Sequence, residues 1–350
     1  MRLDHQNDAL FAVQQARVLI RTSTWQRFDA LLLSIEAEAA SRVGDEVKAV
    51  TLIREMLPLT RNRIVAACLL ELCDWVSRQL AQALKAGIEV EAARALIQAF
   101  ELSPQTPLDE HWPWPVKIFL LGRFEILHND APIVATRKTP KKPLALLKAL
   151  VCGGGSAVSI AQLIDWLWPD SEADAAKKAF EMALLRLRAL LGGNHTLKLE
   201  NGRLSLDRST IWVDAWAFDA LAQQTTNDAN QLARAVQLYA GSLLPHDLDA
   251  AWALSYRERL RDSFKRLICN LATDLEATQR YAEALALYAR GLEADDLVES
   301  MYQGAMRCHL NLGRRAEALA TFQRLRRTLT AKLRTLPSTE SVTLASAAET

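Results

Sequence analysis

Between residues 7 and 101 apolar side chains recur at the i, i+3, i+4 spacing of amphipathic helices, as in Leu31, Leu32, Ile35 and again in Leu52, Ile53, Met56. Gly44 and Gly87 fall between such runs and read as helix ends, so the opening third is predicted to be a short helical solenoid. Ser103-Pro104-Gln105-Thr106-Pro107 and His111-Trp112-Pro113-Trp114-Pro115 then interrupt the pattern with residues that fix φ and remove donors, which puts a domain boundary near residue 110. Residues 117–121, 124–127 and 131–134 predict short strands, with Gly122 and His128-Asn129-Asp130 as turns. Helical spacing returns over residues 143–151, 160–168 and 172–191, the last closed by Gly192-Gly193. Leu197, Leu199, Leu204 and Leu206 next alternate with Lys198, Glu200, Arg203 and Ser205 around Asn201-Gly202. That pair predicts a β-hairpin, because a type I′ turn needs φ > 0 at two successive positions.

From residue 217 to about residue 336 the spacing is helical again. Ala282-Glu283-Ala284-Leu285-Ala286 returns 34 residues later as Ala316-Glu317-Ala318-Leu319-Ala320, which is the tetratricopeptide (TPR) period, and Gly313 stands where the second unit would turn. The Ser/Thr/Ala-rich end, residues 341–350, is expected to be a flexible tail. Sheet, three helices and a closing hairpin is the order of a winged helix. The expected fold class is therefore mainly α with a small α+β winged-helix domain and TPR-like helical repeats on both sides. The expected domains span residues 1–110, 111–216 and 217–340.

At roughly 150 residues per domain, 350 residues suit this division, and half apolar with 24% charged excludes a disordered or collagen-like chain. The net charge of +1 hides an uneven distribution: residues 1–111 hold 12 Lys/Arg against 15 Asp/Glu, residues 112–216 hold 14 against 10, and residues 217–350 hold 16 against 16. Only the middle third is basic, so placement of its charges decides whether it meets a polyanion. Projected at 100° per residue, residues 172–191 gather Ala176, Phe180, Leu184, Leu187 and Leu191 on one stripe, which must be buried. The opposite arc shows Lys178, Met182, Leu185 and Arg186, flanked by Lys177, Glu181 and Arg188. Cations there suit a groove-inserted helix. Met182 and Leu185 suit either a thymine methyl or a protein surface. Arg137-Lys138-Thr139-Pro140-Lys141-Lys142-Pro143 supplies four cations just before a helix start, a setting that favours phosphate oxygens. On the hairpin, Lys198 lies on one strand, and Arg203, beside the Asn-Gly turn, is placed to enter a narrow minor groove.

Other chemistries find little support. The Gly153-Gly154-Gly155-Ser156 run lacks the Gly-Lys-Ser/Thr of a phosphate loop and reads as a turn. No GxSxG, HExxH or paired carboxylates occur, six histidines are dispersed, and Cys308-His309 has no second ligand pair, so neither an enzyme nor a cofactor or metal site is expected. Five scattered cysteines without CxxC fit a reducing cytoplasm. No uncharged apolar run approaches the 18 residues a membrane span needs, and no signal peptide or anchor is read. Six of nine tryptophans lie near the sheet and its helices, where packing explains them better than base stacking.

Residues 116–216, with Leu121-Gly122-Arg123-Phe124-Glu125, Leu163-Ile164-Asp165-Trp166-Leu167-Trp168-Pro169 and Leu185-Arg186-Leu187-Arg188-Ala189-Leu190-Leu191-Gly192, resemble the OmpR/PhoB-type winged helix of the antibiotic-pathway activators, the SARP-type transcriptional regulators. Residues 217–340 resemble the bacterial transcriptional activator domain that follows it, through Leu238-Tyr239-Ala240-Gly241-Ser242-Leu243-Leu244, Trp252, Arg257, the repeat, and Leu336-Pro337-Ser338-Thr339-Glu340. Residues 1–110 more loosely resemble the helical repeats of MalT-like regulators, here without an ATPase. The resemblance implies a sequence-specific regulator that binds double-stranded DNA, with RNA polymerase or another protomer as partner of the TPR-like domain. It implies base-facing roles for Lys178, Glu181 and Met182 and base or phosphate contacts for Arg186 and Arg188. Leu185 departs from the pattern, since an arginine is common at that place. The rival reading is an interaction scaffold whose winged domain binds protein, a reading that Met182 and Leu185 sustain.

Overall fold

A computed structural model of the chain describes Gln15 and residues 28–69, 73–104, 109–133, 141–193, 196–223 and 229–349. The chain divides into two compact units, Met1–Trp114 and Pro115–Thr350.

In the first unit, helices α1 (Asp29–Arg42) and α2 (Glu46–Leu59) pair across the Gly44 turn, followed by α3 (Arg63–Cys68), α4 (Cys73–Lys85) and α5 (Val90–Ala99). Asp45 and Asn62 cap α2 and α3 by accepting from the backbone N–H of Lys48 and Ile64. The α1–α4 contact carries a buried polar pair: Ser34 Oγ donates to Gln79 Oε1 at 2.8 Å and Gln79 Nε2 donates back to the Ser34 carbonyl at 2.7 Å. Trp114 belongs to this unit, its indole N–H donating to the Asp109 carbonyl at 2.6 Å.

The second unit opens with β1 (Val116–Phe119), β2 (Glu125–His128) and β3 (Ala131–Pro132), an antiparallel meander joined on its other side by β7 (Ile211–Val213), which runs parallel to β1. Helices α6 (Lys141–Cys152), α7 (Ile160–Leu167) and α8 (Ala173–Leu190) pack on one another. The hairpin β5 (Leu197–Glu200) and β6 (Arg203–Leu206) forms a second sheet with β4 (Val158–Ser159) in the order β4-β6-β5. Asn201 and Gly202 both take positive φ, 48° and 71°, as the type I′ turn requires. Leu197, Leu204 and Leu206 are buried, but Leu199 departs from the expected alternation and is exposed, because it sits near the tip of an edge strand with no element beyond it.

Helices α9 (Asp214–Gln223), α10 (Ala229–Leu238), α11 (Ala251–Ala277), α12 (Tyr281–Ala294), α13 (Glu299–Asn311), α14 (Arg315–Leu333) and α15 (Thr339–Glu349) complete the unit. The 34-residue repeat falls on the starts of α12 and α14. Helix α13 contacts both α11 and α15 in a layer backed by α12 and α14, a TPR-like arrangement. Two expectations are corrected. The tail does not fray: Ser341, Ala345 and Ala348 are buried along α15, and Glu299 on α13 accepts from the backbone N–H of Ser338 and the hydroxyl of Ser341. Nor is the stretch after residue 217 helical throughout, since Tyr239–Ala250 departs from helix to meet the first sheet: Leu244 N–H donates to Leu120 O, and Gly122 N–H to Ser242 O.

That junction joins the sheet-and-hairpin part to the C-terminal helices without a gap at residue 216, which lies inside α9. Asp214 is fully buried and its carboxylate accepts from the backbone N–H groups of Leu120, Leu121 and Ala215 at 2.6–2.9 Å. Burial pushes this carboxyl up to about 7, against the pull of those three donors and of Arg123. Lys148 on α6 pairs with Asp247 at 2.7 Å, Arg257 on α11 donates to the carbonyls of Leu243 and Asp247, and α6 packs on α11. Two glycines permit the approach: a Cβ on Gly122 would lie 2.8 Å from the Ala240 carbonyl oxygen, and one on Gly241 would lie 2.9 Å from Gly122 Cα. The fold is thus mainly α with a small α+β winged-helix portion and helical segments on either side of it in sequence.

Candidate nucleic-acid interface

Helix α8 forms because its apolar residues fall on a single stripe, and the structure buries all of that stripe: Ala176, Phe180, Leu184, Leu187 and the C-cap residue Leu191. Phe180 meets the edge of Trp168 with centroids 6.5 Å apart. Anchored in this way, α8 turns the opposite arc outward. Lys177, Lys178, Glu181 and Arg186 are exposed, and so are Met182 at 49% and Leu185 at 62%. Lys177, Lys178 and Arg186 make no ion pair among the described residues, so their charge is available to a ligand. Two large apolar side chains amid unpaired cations form a surface that water solvates poorly and that a base edge or another protein would cover.

The other candidates divide. Arg188 lies at the rim of the buried stripe, half-buried, with its Nε shielded and lacking a hydrogen-bond partner among the described residues, so it does not point out with Arg186. Lys142 is not free: its Nζ donates to the Leu167 carbonyl at 2.5 Å and lies over the Trp168 ring, which closes the C-terminus of α7. Lys141 is exposed at the first residue of α6, where the helix N-terminus adds to its positive field. Arg137 and Lys138 lie outside the described residues. On the hairpin, Lys198 pairs with Asp207 at 2.7 Å. That hydrogen bond raises the lysine's pKa, and the bonds from Lys198 and Ser209 outweigh burial to hold the Asp207 carboxyl below the usual range. Arg203 flanks the turn as expected, exposed, with one guanidinium nitrogen donating to the Ala157 carbonyl at 3.0 Å.

Sequence reasoning missed Arg208, which stacks over Trp216 and donates to the Gly154 carbonyl behind the hairpin. It also missed a cleft of about 610 Å³ between α7 and the start of α8, walled by Ile160, Ile164, Trp168 and Pro169 with Asp165 and Lys177 at its edge. The half-burial of Ile164 and Trp168, against full burial of Leu163 and Leu167, is the trace of that cleft. Among the described residues no cluster of His, Cys, Asp or Glu could hold a metal ion, and no helix is long and apolar enough to cross a membrane.

Comparison with known proteins adds to this geometry. Residues 213–347 match the bacterial transcriptional activator domain. The chain is 27% identical over 240 residues to the regulatory protein AfsR of Streptomyces coelicolor, an alignment that covers 66% of this chain and 24% of that protein. It therefore spans about a quarter of the length of this relative. A solved structure of EmbR from Mycobacterium tuberculosis, in complex with a low affinity phosphopeptide, superposes with a TM-score of 0.52 at 19% identity over 67% of this chain and 65% of that one, which shows a shared fold. Residues 213–347 thus carry a bacterial transcriptional activator domain, and the chain is similar to a regulatory protein.

Proposed function

We propose that this protein is a sequence-specific DNA-binding regulator of transcription. Residues 116–216 act as an OmpR/PhoB-type winged helix: α8 enters the major groove and the β5–β6 hairpin approaches the adjacent minor groove. The observation that carries this reading is the two-sided character of α8, a fully buried apolar stripe backing an outward arc of Lys177, Lys178 and Arg186, without ion pairs among the described residues, around Met182 and Leu185. The lysines serve phosphates, Arg186 a base edge or phosphate, and Leu185 a thymine methyl. Lys141 adds phosphate contact at the α6 N-terminus. The engaged states of Lys142 and Lys198 and the half-burial of Arg188 leave them in supporting roles.

The C-terminal repeats bind a protein partner, RNA polymerase or a second protomer, and the whole works in the cytoplasm. One winged helix covers little DNA, so paired protomers on repeated half-sites follow from this reading. Selection from random duplex DNA tests it. The expected result is an enriched sequence, affinity that falls steeply with salt, and an Arg186→Ala variant weakened by about 1–3 kcal/mol with relaxed preference at one position. No enriched sequence, together with an unaffected variant, would favour a scaffold whose α8 arc meets protein.

A further inference from the structure

A long run of positive charge lies along α14 and its two caps, away from α8. Residues 314–334 hold seven cations, Arg314, Arg315, Arg324, Arg326, Arg327, Lys332 and Arg334, against the single acid Glu317. Lys332 pairs with Asp296 at 2.6 Å and Arg324 lies over the Tyr302 ring, but Arg315 and Arg326 are exposed without an ion pair or hydrogen bond to another side chain among the described residues. Arg327 is exposed as well, and its Nε contacts only the Gln323 carbonyl within its own helix. Helix periodicity puts Arg315, Arg326, Arg327 and Leu333 within an arc of about 120°, turned away from buried Ala318, Leu325 and Leu329. The helix dipole accounts for a cation in the last turn such as Lys332, and not for arginines earlier in the helix.

The internal repeat supplies an independent check on whether the fold itself demands these residues. Thirty-four positions earlier, Arg315, Arg326 and Arg327 correspond to Tyr281, Leu292 and Glu293 on α12. Leu292 is buried, whereas its counterpart Arg326 is exposed. One copy of the repeat spends these positions on packing and on an acid; the other turns all three into arginine. The strip also ends on exposed apolar residues, Leu333 at 50% in the last turn of α14 and Leu336 at 80% just past its C-cap. A phosphate backbone offers nothing to cover two leucines, whereas an amphipathic protein segment covers both kinds of residue at once.

We propose that the outward face of α14, Arg315, Arg326, Arg327 and Leu333, together with Leu336 just past its C-terminus, is a docking surface for an acidic amphipathic helix of a partner protein. The proposal rests on the reading of the C-terminal repeats as partner-binding and is independent of DNA binding by α8. Carboxylates of the incoming helix take the guanidinium forks, and its apolar stripe covers the leucines.

Fluorescence anisotropy of the full chain with a labelled synthetic helix of glutamates, carrying leucines at i, i+3, i+4 spacing, tests this surface. Saturable binding is expected, weakened about tenfold or more by Arg326→Glu with Arg327→Glu. It should weaken about threefold or more with Leu336→Ser. The same variants should keep duplex selection and thermal unfolding unchanged. Equal binding by a scrambled peptide of the same composition or by polyglutamate would reduce the face to diffuse charge and overturn the proposal. So would insensitivity to both variants, or loss of duplex affinity in the arginine pair, which would make α14 a nucleic-acid contact. An absent peptide signal beside intact duplex selection refutes this surface and leaves the DNA reading standing.

Discussion

Substituting Gly122 by alanine should destabilise the second unit far more than an equally left-handed glycine elsewhere. Gly122 has φ +75°, a conformation that costs an L side chain about 1–2 kcal/mol. Its new Cβ would also lie 2.8 Å from the Ala240 carbonyl oxygen and 2.9 Å from the carbonyl carbon. Both atoms are backbone, held in place by the adjoining Gly122 N–H to Ser242 carbonyl bond of 3.0 Å, so no rotamer change can relieve the clash. Overpacking of this kind adds about 1–3 kcal/mol. Gly202, at φ +71°, has no heavy atom within 4 Å of its prospective Cβ and serves as the control, since Gly202→Ala meets the backbone penalty alone. For a unit of this size each kcal/mol shifts the midpoint by about 2–4 °C, so calorimetry should find Gly122→Ala lower than Gly202→Ala by several degrees. Midpoints that coincide within error would refute the claim that this glycine is required for the contact between sheet and C-terminal helices.

Three further substitutions separate the faces of α8 and test the clamp on the last helix. Phe180→Ala, removing a buried ring, should cost about 3–5 kcal/mol in chemical denaturation, whereas Leu185→Ala should leave stability within about 0.5 kcal/mol while reducing duplex affinity; equal losses of stability would mean that the outward arc is packed. Burial tends to raise the Glu299 carboxyl, but bonds from the Ser341 hydroxyl and from the Ser338 backbone and hydroxyl outweigh it, so its pKa is depressed on folding. A depressed carboxylate stabilises the folded state above its ordinary value of 4.5 and loses that contribution as pH falls through the folded value. Amide exchange in α15, corrected for its intrinsic pH dependence, should therefore accelerate below pH 4.5 relative to α13, and Glu299→Gln should make it fast at neutral pH; protection unchanged by either would exclude Glu299 as the clamp.

What was legible in the sequence was local. The stripe from Ala176 to Leu191 follows from helix periodicity, and Asn201-Gly202 follows from two positive φ values, so α8 and its hairpin could be placed before any coordinates. The pairs that decide availability were not legible, because they join residues that periodicity leaves unrelated. Lys142 reads as a phosphate contact in its basic loop until the Leu167 carbonyl, 25 residues away, takes its proton donor. Lys198 reads as a hairpin cation until Asp207 neutralises it. The tail looked frayed because its composition is weakly apolar, and it is helical because small buried residues and two serines fit against Glu299 and Gln303. Leu121-Gly122 and Gly241-Ser242-Leu243 were both visible as motifs, but their meeting, with Asp214 beneath Leu120 and Leu121, spans about a hundred residues of chain and leaves no periodic signature.

That meeting bears on how a partner on the repeats could influence a helix in DNA. From α8 the packing runs through α6 to α11 and from there through α13 to α14, with the sheet fastened to the same body at Asp214 and at the two glycines. A chain of packed elements transmits a signal only where some member has two arrangements, and this junction is built against a second one: its carboxylate is fully buried and its closest contact leaves no room even for a methyl group. On the proposed function, coupling between α14 and α8 would therefore work through placement. If α8 reads DNA as proposed, a partner held on α14 would be carried at a set distance and angle from the groove, which would raise its effective concentration at the DNA without reshaping the reader. On this reasoning the affinity of α8 for isolated duplex should be indifferent to an occupied α14, and cooperativity should appear only when the partner itself touches the same DNA.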